Sequence, residues 1–189
     1  MTRVSLALIV TALVLTPLTS DVVAQAPKPA GAAGPILVVD TMKGLIEIQL
    51  FPAEAPKTVE HILALTKRNF YNGQRVHRVE PGYVVQFGDP QTRDMTKRER
   101  WGTGGSGKSI GVGEFSPKHK HVVGAVAMAH PGGFDPNDAK LADSQMYIML
   151  GNAPKLDGSF TVFGQVISGM DVVRKLVVTD RIRRITVKS

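Results

Sequence analysis

Val76-His-Arg-Val-Glu-Pro-Gly-Tyr-Val-Val-Gln-Phe-Gly-Asp89 contains two short apolar runs, Val76 to Val79 and Tyr83 to Phe87, on either side of Pro81-Gly82. The stretch reads as two strands joined by a tight turn. Proline presets the backbone angle of the first turn residue, and glycine tolerates the positive angle of the second. Two long polar side chains, Arg78 and Gln86, interrupt the apolar runs. A guanidinium is costly to bury unpaired, so Arg78 either reaches water or lines a cleft where its donors are needed. A register slip of one residue would turn it to the opposite face, and pattern alone leaves that choice open.

Outward from this hairpin, short strands dominate. Ile36 to Asp40 is a continuous apolar run. Leu45 to Leu50 alternates, with Ile46, Ile48 and Leu50 set against Glu47 and Gln49, and Met42-Lys43-Gly44 supplies a turn between the two. Pro56 suits the first turn of a helix. Val59, Ile62, Leu63 and Thr66 then form one apolar stripe, stopped at Asn69 to Gly73. Pro90 to Pro117 is polar and Gly-rich and reads as loop, as does His130 to Asp143. Val122 to Met128, Gln145 to Leu150, Thr161 to Ile167 and Ile182 to Val187 read as strands, and Asp171 to Leu176 as a short helix. Many short strands with two helices predict a mainly β fold: an antiparallel barrel, closed so that no sheet edge is left exposed.

The chain has 189 residues, 43% hydrophobic and 21% charged, which suits one globular domain. Arg3 followed by the apolar Val4 to Leu18 and small residues around Ala24-Gln25-Ala26 has the three-part form of a secretory signal peptide. The apolar run is shorter than the roughly 20 residues a spanning helix needs. Cleavage after Ala24 is preferred, because Pro27 would directly follow a cut at Ala26. The expected organisation is a leader over 1–24, a Pro/Ala/Gly-rich tether over 25–35 and one domain over 36–189. The expected location is periplasmic or secreted. With no cysteine, disulfides and thiolate zinc sites are excluded. The net charge of +7 is spread over scattered lysines and arginines without interleaved aromatics, so a solvated basic surface is expected and no nucleic-acid partner.

Several chemistries fail on context. Gly102 to Ser109 satisfies the G-x-x-x-x-G-K-S pattern of a phosphate loop, but no buried strand precedes it and no helix follows. His119 and His121 lack a third ligand, and His61 reads as a solvated helix residue. No serine sits in a nucleophile elbow. Asp135 and Asp138 look like turn formers. What remains is Arg78 and Gln86, with Gln145 and Tyr147 on a later strand and Leu156, Phe160 and Phe163 as apolar neighbours. These residues suggest an extended-peptide groove, with Phe163 assigned to the core.

The same residues resemble a known family. Ala55-Pro-Lys-Thr-Val-Glu60, Phe70-Tyr-Asn-Gly73, the Val76 to Asp89 stretch, Gly102-Thr-Gly-Gly105, Gly124 to Ala129, Ser144 to Ile148, Leu156-Asp-Gly158 and Val162-Phe-Gly164 occur in the order seen in cyclophilins, the peptidyl-prolyl cis–trans isomerases. The likeness covers Ile36 to Ser189 and most resembles exported bacterial members. It implies eight antiparallel strands capped by two helices, no cofactor and no metal, and a monomer acting on proline-containing unfolded or extended polypeptides. Position by position, it implies Arg78 as the catalytic arginine and Gln86 as its orienting partner. Tyr83, Val84, Tyr147 and Leu156 would form the proline pocket, with Phe160 at its rim. Ala129, His130 and Gln145 would lie along the peptide groove. The role implied is folding of exported proteins; a proline-peptide-binding chaperone with weak isomerase activity is the alternative. Departures from the commonest pattern are Tyr83 and Tyr147 for Phe, Val84 for Met, His130 for Asn, Phe160 for His and Lys155 for Trp. The last implies weakened binding of cyclosporin. The His130 to Asp143 loop is longer than the commonest version.

Overall fold

The computed structural model describes residues 34–188. The leader predicted over 1–24, most of the tether predicted over 25–35, and Ser189 lie outside those residues. Strands β1 (Ile36–Thr41) and β2 (Gly44–Leu50) form the predicted first hairpin, in register from Ile36 opposite Gln49 to Thr41 opposite Gly44. Helix α1 spans Pro56–Lys67, with proline in its first turn. Then come β3 (Arg78–Glu80), β4 (Val84–Phe87), β5 (Ala125–Met128), β6 (Met146–Met149), β7 (Val162–Ser168), helix α2 (Met170–Lys175) and β8 (Ile182–Val187). The strand predicted from Val122 starts three residues later. Gly124 there has φ +81° and Val122 and Val123 are exposed in a turn, so apolar character alone misplaced that boundary.

The eight strands make one antiparallel sheet in the order β3-β4-β6-β5-β7-β2-β1-β8. It curls without fully closing, which corrects the closed barrel predicted from sequence. The edge strands β3 and β8 share no ladder. Instead, the segment ahead of β3 is stitched to the first residue of β8 and the turn before it: Gly73 N–H donates to the Ile182 carbonyl (2.9 Å), Ile182 N–H to Gln74 (2.8 Å), Val76 N–H to Asp180 (3.0 Å) and Thr179 N–H to Val76 (2.9 Å). Both edges thereby keep their backbone groups paired near the seam without a continuous ladder.

Alternation along the strands separates two apolar clusters. The larger one fills the interior with Leu37, Ile46, Ile48, Val85, Phe87, Val126, Ile148 and Phe163, and takes in Val59, Ile62 and Leu65 of α1 and Val172 and Val173 of α2. Phe163 is fully buried, as expected of a core residue. The helical stripe is rotated slightly from the predicted one: Leu65 is fully buried, whereas Leu63 is only partly so. The N-terminus of α1 is capped from far away in sequence. The Glu114 carboxylate accepts N–H bonds from Lys57 (3.0 Å) and Thr58 (2.9 Å), placing a negative charge where the helix dipole favours it. His61 was expected to be solvated. Its side chain is only 12% exposed and its Nε2 lies 3.4 Å from Asp143, because the long loop folds back over that face of α1.

Candidate functional site

The smaller apolar cluster lies on the outer face of β4, β6 and β5, and the site is built there. Because the sheet period is two, Val84, Tyr147, Met149, Ala125 and Ala127 point outward while their neighbours fill the core. The register that the sequence left open is fixed by pairing. Arg78 stands opposite Gln86, Gln86 opposite Tyr147, and Tyr147 opposite Ala127, so these four residues form one row across four strands.

A chain of hydrogen bonds runs along part of that row. The Arg78 guanidinium donates from Nη1 to Gln86 Oε1 (3.1 Å), and from Nε (2.8 Å) and Nη2 (2.6 Å) to Glu80 Oε1. Gln86 Nε2 donates to Gln145 Oε1 (2.9 Å), and Gln145 Nε2 donates to the carbonyls of Gly102 (2.9 Å) and Gly104 (2.8 Å). Each amide therefore has its orientation set by its neighbours. A guanidinium carries five N–H donors; the three named bonds leave two for a ligand. The arginine side chain is 45% exposed. It escapes the cost of burial by standing at the edge of a cleft, with its guanidinium 6.0 Å from the centroid of the Tyr83 ring.

Two clefts adjoin this chain. The first, of about 180 Å³, is lined by Arg78, Tyr83, Val84, Gln86, Ala129, His130, Gly132, Tyr147, Leu156 and Phe160. Every site residue expected from sequence except Gln145 is among them. Val84, Tyr147 and Leu156 are buried in its wall, and Phe160 packs beside them. His130 stacks on Phe160 at 4.3 Å between ring centroids, with its Nε2 3.1 Å from the Ser159 carbonyl oxygen. Gln145 lies instead in the second cleft, of about 440 Å³, between the Gly102 to Gly105 loop and the Ala129 to Pro131 segment. Gln86, Ala129 and His130 line both clefts, so they are continuous and form a groove with a ring-sized pocket at one end.

Residues that sequence reading did not assign to the site complete it. Asp89 is fully buried and accepts N–H bonds from Gln91 (2.8 Å), Gly102 (2.7 Å) and Gly104 (3.0 Å), shaping the loop to which Gln145 is anchored. Gly104 lies so close that a Cβ there would collide with the Asp89 carboxylate. Phe134, from the long loop, sets its ring edge-on to Phe160, 6.1 Å between centroids. Lys155 Nζ stands 5.7 Å from the Tyr83 ring and 6.0 Å from Phe134 at the pocket mouth. These contacts join residues far apart in sequence, and no local pattern announces them.

The residues of the other candidate chemistries are engaged elsewhere in the fold. Gly107 N–H and the Ser106 hydroxyl, in the phosphate-loop pattern, hydrogen-bond the Asp143 carboxylate, so the chain's own anion takes those donors. His119 stacks on Phe51, whereas His121 turns toward Tyr147; the two imidazoles face different partners. No group of three candidate ligands for a metal occurs among the described residues. Ser144 is buried and donates to the Gly88 carbonyl (2.8 Å). Asp135 caps a short 3-10 turn by accepting from Asn137 N–H, as a turn former should. Burial pushes the Tyr147 phenol far above the ordinary tyrosine range and the nearby Tyr83 adds to the effect, so Tyr147 offers a neutral ring and no phenolate.

This arrangement suits a ligand with an extended backbone and one compact ring beside a fixed cation. Comparison with known proteins agrees. The family model described as cyclophilin type peptidyl-prolyl cis-trans isomerase/CLD matches residues 36–188. A probable peptidyl-prolyl cis-trans isomerase of Brucella suis biovar 1 (strain 1330) is 40% identical over 152 residues, covering 78% of this chain and 74% of the relative. The crystal structure of a Cryptosporidium parvum cyclophilin type peptidyl-prolyl cis-trans isomerase superposes with a TM-score of 0.70 at 25% identity, covering 82% of this chain and 98% of the other. A second structure of that protein, in the presence of the dipeptide Ala-Pro, has a TM-score of 0.70 at 23% identity and covers 82% of this chain and 99% of its own.

Proposed function

The chain belongs to the cyclophilin type peptidyl-prolyl cis–trans isomerases, and from that premise we propose that Arg78 is the group that lowers the rotational barrier. Gln86 orients it. Tyr83, Val84, Tyr147, Leu156 and Phe160 hold the prolyl ring, and Ala129, His130 and Gln145 guide the preceding residues. The observation that carries this reading is the chain Arg78–Gln86–Gln145, anchored on the Gly102 and Gly104 carbonyls and ending beside the ring-sized pocket.

The barrier to peptide rotation, about 18–20 kcal/mol, comes from amide resonance. Half-way through rotation that resonance is lost, the prolyl nitrogen becomes pyramidal, and its lone pair becomes a hydrogen-bond acceptor. A guanidinium aimed at that nitrogen bonds the twisted state better than either planar state. Such differential binding needs no proton transfer and no covalent step. The apolar pocket holds the ring while the preceding carbonyl swings through the groove.

Substrates in this reading are Xaa-Pro segments of unfolded or extended polypeptides, a choice supported by the neighbour crystallised in the presence of Ala-Pro. Uncatalysed isomerisation takes tens to hundreds of seconds and can limit folding. With the apolar stretch of Val4 to Leu18 read as a cleaved leader, the protein acts as a monomeric foldase on exported proteins, in the periplasm or outside the cell. N-terminal sequencing of the exported protein is expected to start at Gln25; a start at Met1 overturns cleavage.

The wild-type protein is expected to accelerate cis-to-trans conversion of a short Xaa-Pro peptide, and a rate equal to the uncatalysed one overturns the reading. Gln86→Ala tests the orienting role. Gln86 is 8% exposed and holds both Arg78 and Gln145. Losing it frees the guanidinium to swing with solvent and leaves the Gln145 Oε1 acceptor without its donor, so kcat/KM is expected to fall about tenfold. Unchanged kcat/KM would mean that Glu80 alone is enough to position the arginine.

A further inference from the structure

Behind the ring pocket lies a second polar constellation with no bond to the Arg78 chain. Tyr147 gives its ring to the pocket. Its hydroxyl sits 3.1 Å from Nε2 of His121, a residue that does not line the pocket and whose side chain is 0% exposed. On the other edge of the imidazole, Nδ1 lies 2.8 Å from Asp157 Oδ1, and the same oxygen accepts the His121 backbone N–H at 2.9 Å.

The donor and acceptor inventory fixes the protons. An ionised carboxylate only accepts, so Nδ1 carries the hydrogen. In the neutral imidazole Nε2 then has none and must accept, so the Tyr147 O–H donates to it. We propose that His121 and Asp157 are positioning residues for the ring pocket: they hold the Tyr147 hydroxyl hydrogen turned away from the ring-binding face, and protonation of the imidazole reverses that orientation. Once Nε2 carries a hydrogen, the phenol oxygen has to accept it. The phenol's own hydrogen then needs another acceptor, and among the described residues the structure provides none beside it. A polar O–H is left at the pocket wall, or the ring moves.

The groups facing this cluster are few. Lys120 precedes His121 and reaches within 3.9 Å of Asp157 Oδ2; the Phe160 ring stands edge-on to the imidazole; Tyr83 and Arg78 face Tyr147 from the pocket side. Burial pushes the His121 imidazole below its ordinary range against the pull of Asp157, and Lys120 pushes the same way as burial. The imidazole is therefore neutral at pH 7, and the clamp is set. Burial alone would raise the Asp157 carboxyl, but the side-chain and backbone hydrogen bonds from His121 outweigh it and hold it low. At pH 7 the carboxylate is therefore an acceptor, as the proton assignment requires.

The inference rests on the reading of this pocket as the prolyl-ring site. A ring wall binds planar and twisted substrate about equally, so its disturbance belongs in KM rather than kcat. The test uses an uncoupled assay on a cis-enriched Xaa-Pro peptide between pH 4.5 and 8, together with histidine ¹⁵N chemical shifts. In wild type, KM is expected to rise about tenfold through one titration below pH 6.5 while kcat stays within about twofold. His121→Gln, which cannot titrate, is expected to give a flat KM. This separates His121 from His77 and His130, which remain in the variant. His121→Phe strands the phenol hydroxyl and is expected to raise KM about tenfold at every pH. Adding Tyr147→Phe removes the stranded group and is expected to recover most of that loss. An acid rise in KM that persists in His121→Gln, or a double variant no better than His121→Phe, overturns the proposal. So does a neutral His121 found with its hydrogen on Nε2. That last measurement needs no turnover: a protein without isomerase activity would sink the reading of the site, and the nitrogen shifts would still decide the clamp.

Discussion

Arg78→Ala is expected to lower kcat/KM on a short Xaa-Pro peptide by about 10²–10³-fold, the usual cost of removing a preorganised donor from a developing charge. The loss should fall mainly on kcat, because the bond to the prolyl nitrogen exists only in the twisted state. Stability should hardly change. The side chain is 45% exposed, and its ion pair with Glu80 is half-exposed and therefore of little weight. Arg78→Lys should recover little of the loss. An ammonium is a point charge without the planar fork, so it cannot hold Glu80 and Gln86 together while offering further donors in a fixed plane. A kcat/KM within threefold of wild type in Arg78→Ala, with the fold intact, would mean that the pocket and groove accelerate rotation without this arginine.

Legibility in the sequence followed the range of the interactions. β1 was readable as a local apolar run and β2 as a local alternation, and Pro56 marked the start of α1. The hairpin was readable as two strands and a turn, but its register was not. The row Arg78, Gln86, Tyr147, Ala127 is set by strands far apart in sequence, Gln86 of β4 pairing with Tyr147 of β6, and only pairing brings them onto one face. For the pocket residues, family resemblance supplied what periodicity could not, and the first cleft gathers all of them but Gln145. The errors came from contacts that no local pattern announces. His61 looked solvated because its cover, Asp143, is 82 residues away. His121 was weighed only as a metal ligand with His119, since Asp157 and Tyr147 are brought to it by the fold. A closed barrel was expected because exposed edges are a liability. The chain meets that liability instead with irregular backbone bonds across the seam.

Asp89 is where stability and the site meet, and its replacement is the second large expected effect. The carboxylate sits just beyond β4, fully buried, and accepts three backbone N–H bonds, from Gln91, Gly102 and Gly104. Hydrogen bonds to a charged acceptor contribute about 1.5–3 kcal/mol each. The freed N–H groups of the loop can partly recover by turning to water. Asp89→Ala is therefore expected to cost about 3 kcal/mol, read as a fall in Tm of roughly 6–12 °C for a domain of this size. Asp89→Asn should lie between, because its amide keeps one accepting oxygen and turns an NH₂ toward donors that need an acceptor. Activity should fall as well, measured well below the lowered Tm. The carbonyls of Gly102 and Gly104 that anchor Gln145 belong to the loop whose N–H groups Asp89 holds, so freeing the loop loosens Gln145, then Gln86, then Arg78. About tenfold in kcat/KM is expected, similar to Gln86→Ala, because both act through the same guanidinium. Combining Asp89→Asn with Gln86→Ala should then cost less in kcat/KM than the product of the two single losses, as for residues in one network. If the losses multiply, Asp89 acts on the groove by some route other than the arginine. If the Tm of Asp89→Ala falls by less than about 2 °C, the three N–H groups were never dependent on the carboxylate.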